Sequence, residues 1–120
     1  MTRRLCRLAD IPDGEGRGLA LDPGEADTLA GGNRDIFVVR RGNEAFGYVN
    51  VCPHTGTPLD WVEDQFMTLD KRRIMCATHG AEFEIHDGRC VAGPCRGDSL
   101  RPLAVVVRNG EILLTAATAR

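Results

Sequence analysis

The sequence predicts an all-β protein built as an antiparallel sandwich or barrel. Short apolar and β-branched runs recur every ~8–12 residues between turn signals, a spacing typical of such folds. These runs do not alternate with helical segments, so the pattern of a parallel βαβ sheet is missing. The chain has 120 residues, of which 42% are hydrophobic. A chain of this length and composition is expected to form one domain, residues 1–120.

The N-terminal part predicts two short strands and little helix. The runs at 4–11 and 16–22 lie on either side of Pro12-Asp13-Gly14, which is a turn signal. The segment 24–31 is the only helix-like stretch, and it is too short and too weakly amphipathic to dominate the fold.

Three pairs of runs further along the chain predict β-hairpins. Each pair is separated by a dipeptide suited to a tight turn, and Asn109-Gly110 is the strongest of these signals. The pairs are 35–41 with 44–51, 66–70 with 72–76, and 102–108 with 111–116. A further half-buried strand is predicted at 81–86, where apolar and polar residues alternate.

Composition and charge exclude several classes of function. The net charge is −2 and both signs are mixed along the chain, so the basic stripe of a nucleic-acid-binding protein is missing. No apolar run approaches the ~20 residues that a membrane helix needs. The N-terminus lacks the apolar centre of a secretory signal, and a cytoplasmic location is therefore expected. Cysteines in that compartment stay reduced, and the odd number of five weakens a disulfide framework further.

Cysteine and histidine occur together in two short motifs. Cys52 and His54 form C-x-H within VCPHTGTPLDW, and Cys76 and His79 form C-x-x-H within CATHG, after a spacer of 21 residues. Each half follows a β-like run and offers one thiolate and one imidazole. Glycine and proline in both halves permit a tight backbone that turns the four side chains toward one point.

Three kinds of chemistry compete for these four residues. A nucleophilic cysteine needs one histidine base and one orienting group, so a second pair of cysteine and histidine would have no role. A structural zinc ion would accept two cysteines and two histidines, although zinc modules usually pair like ligands with each other. A binuclear iron–sulfur cluster with two thiolates on one iron and two imidazoles on the other accounts for the mixed halves.

The motif resembles the signature of the Rieske family, and the resemblance extends from about residue 35 to the C-terminus. It includes Ala92-Gly93-Pro94, which is similar to the proline-containing loop that covers the cluster in that family. The resemblance implies one [2Fe-2S] cluster, with Cys52 and Cys76 on the inner iron and His54 and His79 on the outer iron. It also implies a Rieske-like antiparallel β-sandwich with a small cluster-binding subdomain of two ligand loops, at about residues 51–97.

Four positions distinguish the branches of the family. High-potential members carry a serine and a tyrosine where this chain has Ala81 and Phe83, and a disulfide where it has Thr57 and Thr78. The chain therefore resembles the low-potential ferredoxin-type branch of oxygenase systems. Rieske potentials lie between about −150 and +300 mV, and the missing hydroxyl donors predict a value below about 0 mV. The potential is also expected to fall as pH rises, since the imidazole ligands are titratable.

The resemblance implies a one-electron carrier rather than an enzyme. Once the cluster takes two histidines, only His86 remains, so a mononuclear iron site with two histidines cannot be built. The sequence also lacks a Gly-rich dinucleotide fingerprint. The expected partners are a flavin-type reductase and a terminal oxygenase or similar acceptor, and the expected docking surface consists of Pro53, Gly56, Gly80 and Pro94. The alternative is a non-redox accessory module in which the same four side chains hold zinc.

The remaining chemically active residues have ordinary interpretations. Cys90 and Cys95 bracket the predicted covering loop; two thiols are expected in a reducing compartment, and a redox-active or structural disulfide between them is the alternative. Cys6 is expected to be a small buried apolar residue. His86 is expected at the surface, and Trp61 is expected to pack beneath the cluster subdomain.

Overall fold

The computed structural model shows a β-protein with three antiparallel sheets and one short helix, which confirms the predicted class. It describes residues 2–53, 56–60, 63–77, 80–93 and 96–115. The strands in these ranges are β1 Thr2–Arg7, β2 Gly16–Ala20, β3 Asp35–Arg41, β4 Glu44–Val49, β5 Arg73–Met75, β6 Glu82–Glu84, β7 Cys90–Ala92, β8 Pro102–Leu103, β9 Val105–Arg108 and β10 Glu111–Thr115, and the helix is α1 Pro23–Leu29. Within the described ranges no helix is long and apolar enough to cross a membrane.

Two of the sheets form a sandwich. One has the strand order β1-β10-β9 and the other the order β2-β3-β4-β8. Buried side chains from both sheets pack together, as Val38 of β3 does with Ile112 of β10, and Ile36 of β3 with Leu114 of β10. Burial of these apolar faces against each other is the main stabilising contribution in this half of the molecule.

The N-terminal strand is shorter than the sequence predicts. β1 ends at Arg7 and the chain continues into a 3₁₀ turn over Leu8–Asp10. The backbone N–H of Arg7 donates to the Asp10 side chain at 3.0 Å, which stabilises this turn in place of further strand. β1 then pairs with β10 at the far end of the chain, whereas β2 pairs with β3.

Two of the predicted hairpins are present, and one arm differs. β3 and β4 pair with Arg41 opposite Glu44, so a two-residue turn joins them. β9 and β10 are joined by Asn109 and Gly110, whose φ values are +54° and +75°. The predicted strand 102–108 is divided at Ala104, because its first part pairs with β4 and its second part with β10. The strand thus passes from one layer of the sandwich to the other.

The third sheet has the order β5-β6-β7 and carries the region of the cysteine motifs. The third predicted hairpin is partly formed: Met67 bridges Ile74, Lys71 adopts a φ of +62° at the turn, and only the second arm is a regular strand. β6 confirms the centre of the predicted strand 81–86, while β7 was not predicted as a strand.

The third sheet is joined to the sandwich by a core that both share. Phe37 of β3 stacks on Phe66 with ring centroids 4.4 Å apart, and Phe83 of β6 belongs to the same cluster of buried side chains. Tyr48 of β4 is also part of this cluster, and its hydroxyl donates to the backbone carbonyl of Ile85 just beyond β6. The cysteine-bearing region is therefore fixed to the sandwich by aromatic packing and by this buried hydrogen bond.

Tyr48 predicts how stability depends on alkaline pH. Burial, helped by the nearby negative charge of Asp87, raises the pKa of Tyr48 far above its ordinary value. The free energy of unfolding should be insensitive to this group below about pH 10, where tyrosine in the unfolded chain begins to ionise. Above that pH it should decline, since only the unfolded chain loses the proton. Tyr48 is the only tyrosine, so tyrosinate absorbance should appear together with unfolding.

Tyr48→Phe provides the control for this experiment. It should cost about 1 kcal/mol at neutral pH, the usual net value of one buried hydrogen bond, and should weaken the alkaline decline. Tyrosinate absorbance that rises near pH 10 while the circular dichroism stays native would contradict the assignment.

Candidate metal centre

Two loops carry the predicted ligands. The first loop, residues 50–60, follows β4, and the second loop, residues 76–81, joins β5 to β6. Cys52 and Cys76 are described by the structure, whereas His54 and His79 lie outside the described residues. The structure therefore locates the thiol half of the predicted ligand set.

The two cysteines are buried in one apolar cluster. Cys52 is 1% exposed and Cys76 is 0% exposed, and both belong to the cluster that contains Leu59, Ala81 and Phe83. Cysteines that are far apart in the sequence are thus brought into the same dry part of the molecule. Thiolates are the ligands on which iron–sulfur clusters depend, and burial shields such a group from water. The described side chains fit a cluster of this kind.

Both loops close around their cysteine in the same way. The cysteine N–H donates to the carbonyl five residues later, and the cysteine carbonyl accepts from the N–H of a glycine four residues later. The donor–acceptor distances are 2.8 Å for Cys52 to Thr57, 2.8 Å for Gly56 to Cys52, 2.8 Å for Cys76 to Ala81 and 2.9 Å for Gly80 to Cys76. The backbone closures match although C-x-H and C-x-x-H differ by one residue.

The two glycines explain how such tight closures form. Gly56 has a φ of +72° and Gly80 a φ of +69°, both in the left-handed region. Residues with a Cβ enter this region at a cost of roughly 1–2 kcal/mol, whereas glycine does not. Gly56, two residues after His54, and Gly80, directly after His79, are therefore required for the loop geometry.

Hydrogen bonds also connect the two loops to each other. The N–H of Ala77, the residue after Cys76, donates to the carbonyl of Leu59 at 2.9 Å. The N–H of Leu59 donates in turn to the Asn50 side-chain oxygen at 2.8 Å. Asn50 is 7% exposed and is the one buried polar side chain in the part of the chain that the structure describes. Asn50 was not among the residues predicted from the sequence, because its partners Leu59 and Asp60 lie a whole loop later in the chain.

A third loop, residues 93–97, begins against the second loop. Gly93 has a φ of +92°, and a Cβ at this position would lie 2.8 Å from the Cα of Ala81. The buried Cys90 precedes this loop, and its Sγ donates to the carbonyl of Ala92 at 3.2 Å. Pro94 and Cys95 lie outside the described residues. The start of the predicted covering loop is thus held in close contact with the loop of Cys76.

The other candidate residues are placed as follows. Cys6 is buried in a separate cluster with Val38 and Ile112, and burial raises the pKa of its thiol. His86 is exposed on the turn after β6, with its Nε2 atom 3.4 Å from the Asp87 carboxylate. Trp61 and Thr78 fall outside the described residues. Among the described side chains no group of three or more potential metal ligands is found, since both predicted imidazole ligands are outside that set.

Comparison with known protein families decides the identity of the chain. The family described as the Rieske [2Fe-2S] domain matches residues 8–112, which include both loops. The chain belongs to the Rieske family. This confirms the resemblance inferred from the cysteine and histidine motifs. No curated protein matches the chain significantly.

The Rieske fold of the chain is also that of solved ferredoxins. The ferredoxin of carbazole 1,9a-dioxygenase from Nocardioides aromaticivorans IC177 is 25% identical, with a TM-score of 0.73 over 96% of this chain and 97% of that chain. The Sphingomonas yanoikuyae B1 ferredoxin is 24% identical, with a TM-score of 0.70 over 95% and 97%. A chain in the complex of reduced oxygenase and oxidised ferredoxin in carbazole 1,9a-dioxygenase is 24% identical, with a TM-score of 0.72 over 96% and 93%. These similarities confirm the predicted Rieske-like β fold.

Proposed function

We propose that this Rieske protein is a one-electron carrier of the ferredoxin type. It passes electrons from a reductase to an oxygenase or a similar acceptor and is not itself an enzyme. The observation that carries this proposal is the pair of buried cysteines, held in equally closed loops, in a Rieske-family chain. The similarity in length and fold to the ferredoxin of a dioxygenase supports it.

The proposed ligands are those of the two motifs. Cys52 and Cys76 would hold one iron of a [2Fe-2S] cluster and His54 and His79 the other, within a single Rieske domain over residues 1–120 whose cluster subdomain spans about 51–97. When bound, such a cluster supplies a site that takes up and gives back one electron. The chain keeps water from the thiol side of this site by packing Leu59, Ala81 and Phe83 around the cysteines.

The surroundings of the cysteines support a low reduction potential. Ala81 and Phe83 are both 0% exposed and belong to the cysteine cluster. Neither side chain can donate a hydrogen bond to a cluster sulfur, and fewer such donors lower the potential. The proposed midpoint lies below about 0 mV, in the lower part of the Rieske range.

The proposed partners are a flavin-type reductase and a terminal oxygenase. A complex of oxygenase and ferredoxin is known for carbazole 1,9a-dioxygenase. The described residues of the proposed docking surface are accessible: Gly56 and Gly80 are exposed, and Pro53 is partly exposed. A cytoplasmic location is part of the proposal. The comparisons offer no support for the zinc-holding accessory module.

Metal analysis of one anaerobic preparation distinguishes the proposed electron carrier from the zinc-holding alternative. The protein is purified anaerobically, and its iron, acid-labile sulfide and zinc are measured together with its visible spectrum. A brown protein with equal iron and sulfide, and with an EPR signal of low average g on reduction, is expected. A colourless protein with stoichiometric zinc would end the carrier proposal.

A redox titration then tests the branch of the family. A midpoint below about 0 mV is expected because the two hydroxyl donors are missing. A clearly positive midpoint in a protein that holds the cluster would overturn the low-potential assignment and leave the carrier function in place.

A further inference from the structure

Asn50 is the first residue of the first loop and is hydrogen-bonded on both sides of it. It follows the last residue of β4, and its backbone N–H donates to the carbonyl of Asp35 at 2.9 Å. Its side-chain oxygen accepts from the N–H of Leu59 at 2.8 Å. This hydrogen bond closes the base of the first loop, because it joins the first residue of the loop to a residue near its end.

The same hydrogen bond reaches the second loop through one residue. Leu59 is 0% exposed, and its carbonyl accepts from the N–H of Ala77, which follows Cys76 in the sequence. Leu59 therefore stands between the Asn50 side chain and the second loop. If Asn50 lost its oxygen, the N–H of Leu59 would be buried without an acceptor, which proteins rarely tolerate.

The other end of the Asn50 amide is anchored as well. Its Nδ2 donates to Oδ1 of Asp60 at 2.9 Å, and Oδ2 of Asp60 accepts from the N–H of Asp64 at 3.3 Å. Asp64 Oδ1 accepts from the N–H of Gly18 in β2 at 2.7 Å. A network of hydrogen bonds thus runs from the sandwich through Asn50 to both cysteine loops.

We propose that Asn50 is a positioning residue that sets the separation of the two cysteine loops. It does so by fixing Leu59, to which the second loop is bonded. This inference rests on the proposed function, since the consequence of a fixed separation is that Cys52 and Cys76 are ready to share one cluster. Asn50 itself is not proposed as a ligand.

The test compares single substitutions with an exchange of donor and acceptor. Asn50→Leu removes both side-chain hydrogen bonds at similar size. Asn50→Asp keeps the acceptor for the Leu59 N–H but replaces the donor to Asp60 by a second carboxylate, which repels it. The double variant Asn50→Asp with Asp60→Asn restores every hydrogen bond and leaves the net charge unchanged. Donor and acceptor are exchanged only in the bond between positions 50 and 60. Ile112→Val, a truncation in the separate core cluster of the sandwich, is the control for a general loss of stability.

Three quantities are measured on the full chain as purified. They are the backbone hydrogen exchange of the segments that contain Leu59 and Ala77, the half-life of the visible absorbance under a chelator, and the reduction potential. In Asn50→Leu, exchange at both segments should rise about tenfold, and the half-life should fall about tenfold relative to Ile112→Val. Asn50→Asp should also be impaired, the double variant should return to within about twofold of the wild type, and the potential should shift in the single variants alone.

The outcomes are distinguishable. If Asn50→Leu behaves like Ile112→Val in exchange, half-life and potential, Asn50 is only one more buried residue and the inference is wrong. A double variant as impaired as Asn50→Asp would also overturn it. If the wild-type protein holds no iron and sulfide, the proposed function fails, and the exchange at Ala77 alone then decides whether Asn50 couples the loops.

Discussion

Replacement of Cys52 or Cys76 by alanine is expected to give a colourless protein that no longer holds iron or sulfide. In the proposed function each thiol supplies a ligand for which the two loops have no substitute, and an iron left with one thiolate is not expected to be retained. Both positions are buried, so no water-exposed group takes the place of the lost sulfur. The visible spectrum, the iron content and the EPR signal of the reduced protein measure this loss.

The chain offers matched controls for this experiment. Cys6→Ala removes a thiol from a different core cluster, and Cys90→Ala removes a buried thiol whose Sγ is engaged with the carbonyl of Ala92. Both variants should keep the colour and lose only about 1 kcal/mol of stability, as expected for a small buried truncation. His86→Ala serves in the same way beside alanine variants of His54 and His79. Full iron content in Cys76→Ala would refute the proposed ligand set.

Gly93→Ala is expected to destabilise the protein by about 2–5 kcal/mol. The left-handed conformation costs a residue with a Cβ roughly 1–2 kcal/mol, and forcing extra atoms into a packed site costs a further ~1–3 kcal/mol. Here the new Cβ would lie 2.8 Å from the Cα of Ala81, which is backbone and cannot rotate away. Urea denaturation followed by the fluorescence of the single tryptophan, Trp61, measures the change.

Gly97→Ala separates the two causes. Gly97 has nearly the same backbone conformation, with a φ of +97°, but nothing lies within 4 Å of the position of its Cβ. Only the conformational cost of roughly 1–2 kcal/mol is expected there. The difference between the variants measures the contact between the third loop and the second. Equal losses of stability would show that this contact contributes nothing.

Local signals in the sequence predicted much of the fold. The hairpin at Asn109-Gly110 rests on a dipeptide that suits two successive positive φ values, and this information is contained in two residues. The division of 102–108 at Ala104 could not be read in the same way. An apolar run shows that a segment is buried, but not which of two layers each part pairs with. β7 was not predicted because its three residues belong to no longer alternating run, whereas the equally short β6 lies within the alternating run 81–86.

The same distinction applies to the candidate site. The spacing of cysteine and histidine predicts a ligand set, since that chemistry is a property of side-chain type, and the structure places its two cysteines in one buried cluster. Asn50 was missed because its role depends on partners brought to it by the fold: Leu59 follows a whole loop later, and Ala77 belongs to the other half of the motif. Asparagine is common in turns, and nothing in its local sequence distinguishes a buried bridge from a turn residue.

The matched closure of the two loops has a consequence for protein engineering. The hydrogen bonds that close segments 52–57 and 76–81 join backbone atoms only. Thr57 and Ala81 contribute their backbone carbonyls to these closures, so a changed side chain at either position leaves the closing hydrogen bonds in place. Hydroxyl or thiol side chains introduced there are expected to change the reduction potential of the proposed carrier while these backbone hydrogen bonds are kept.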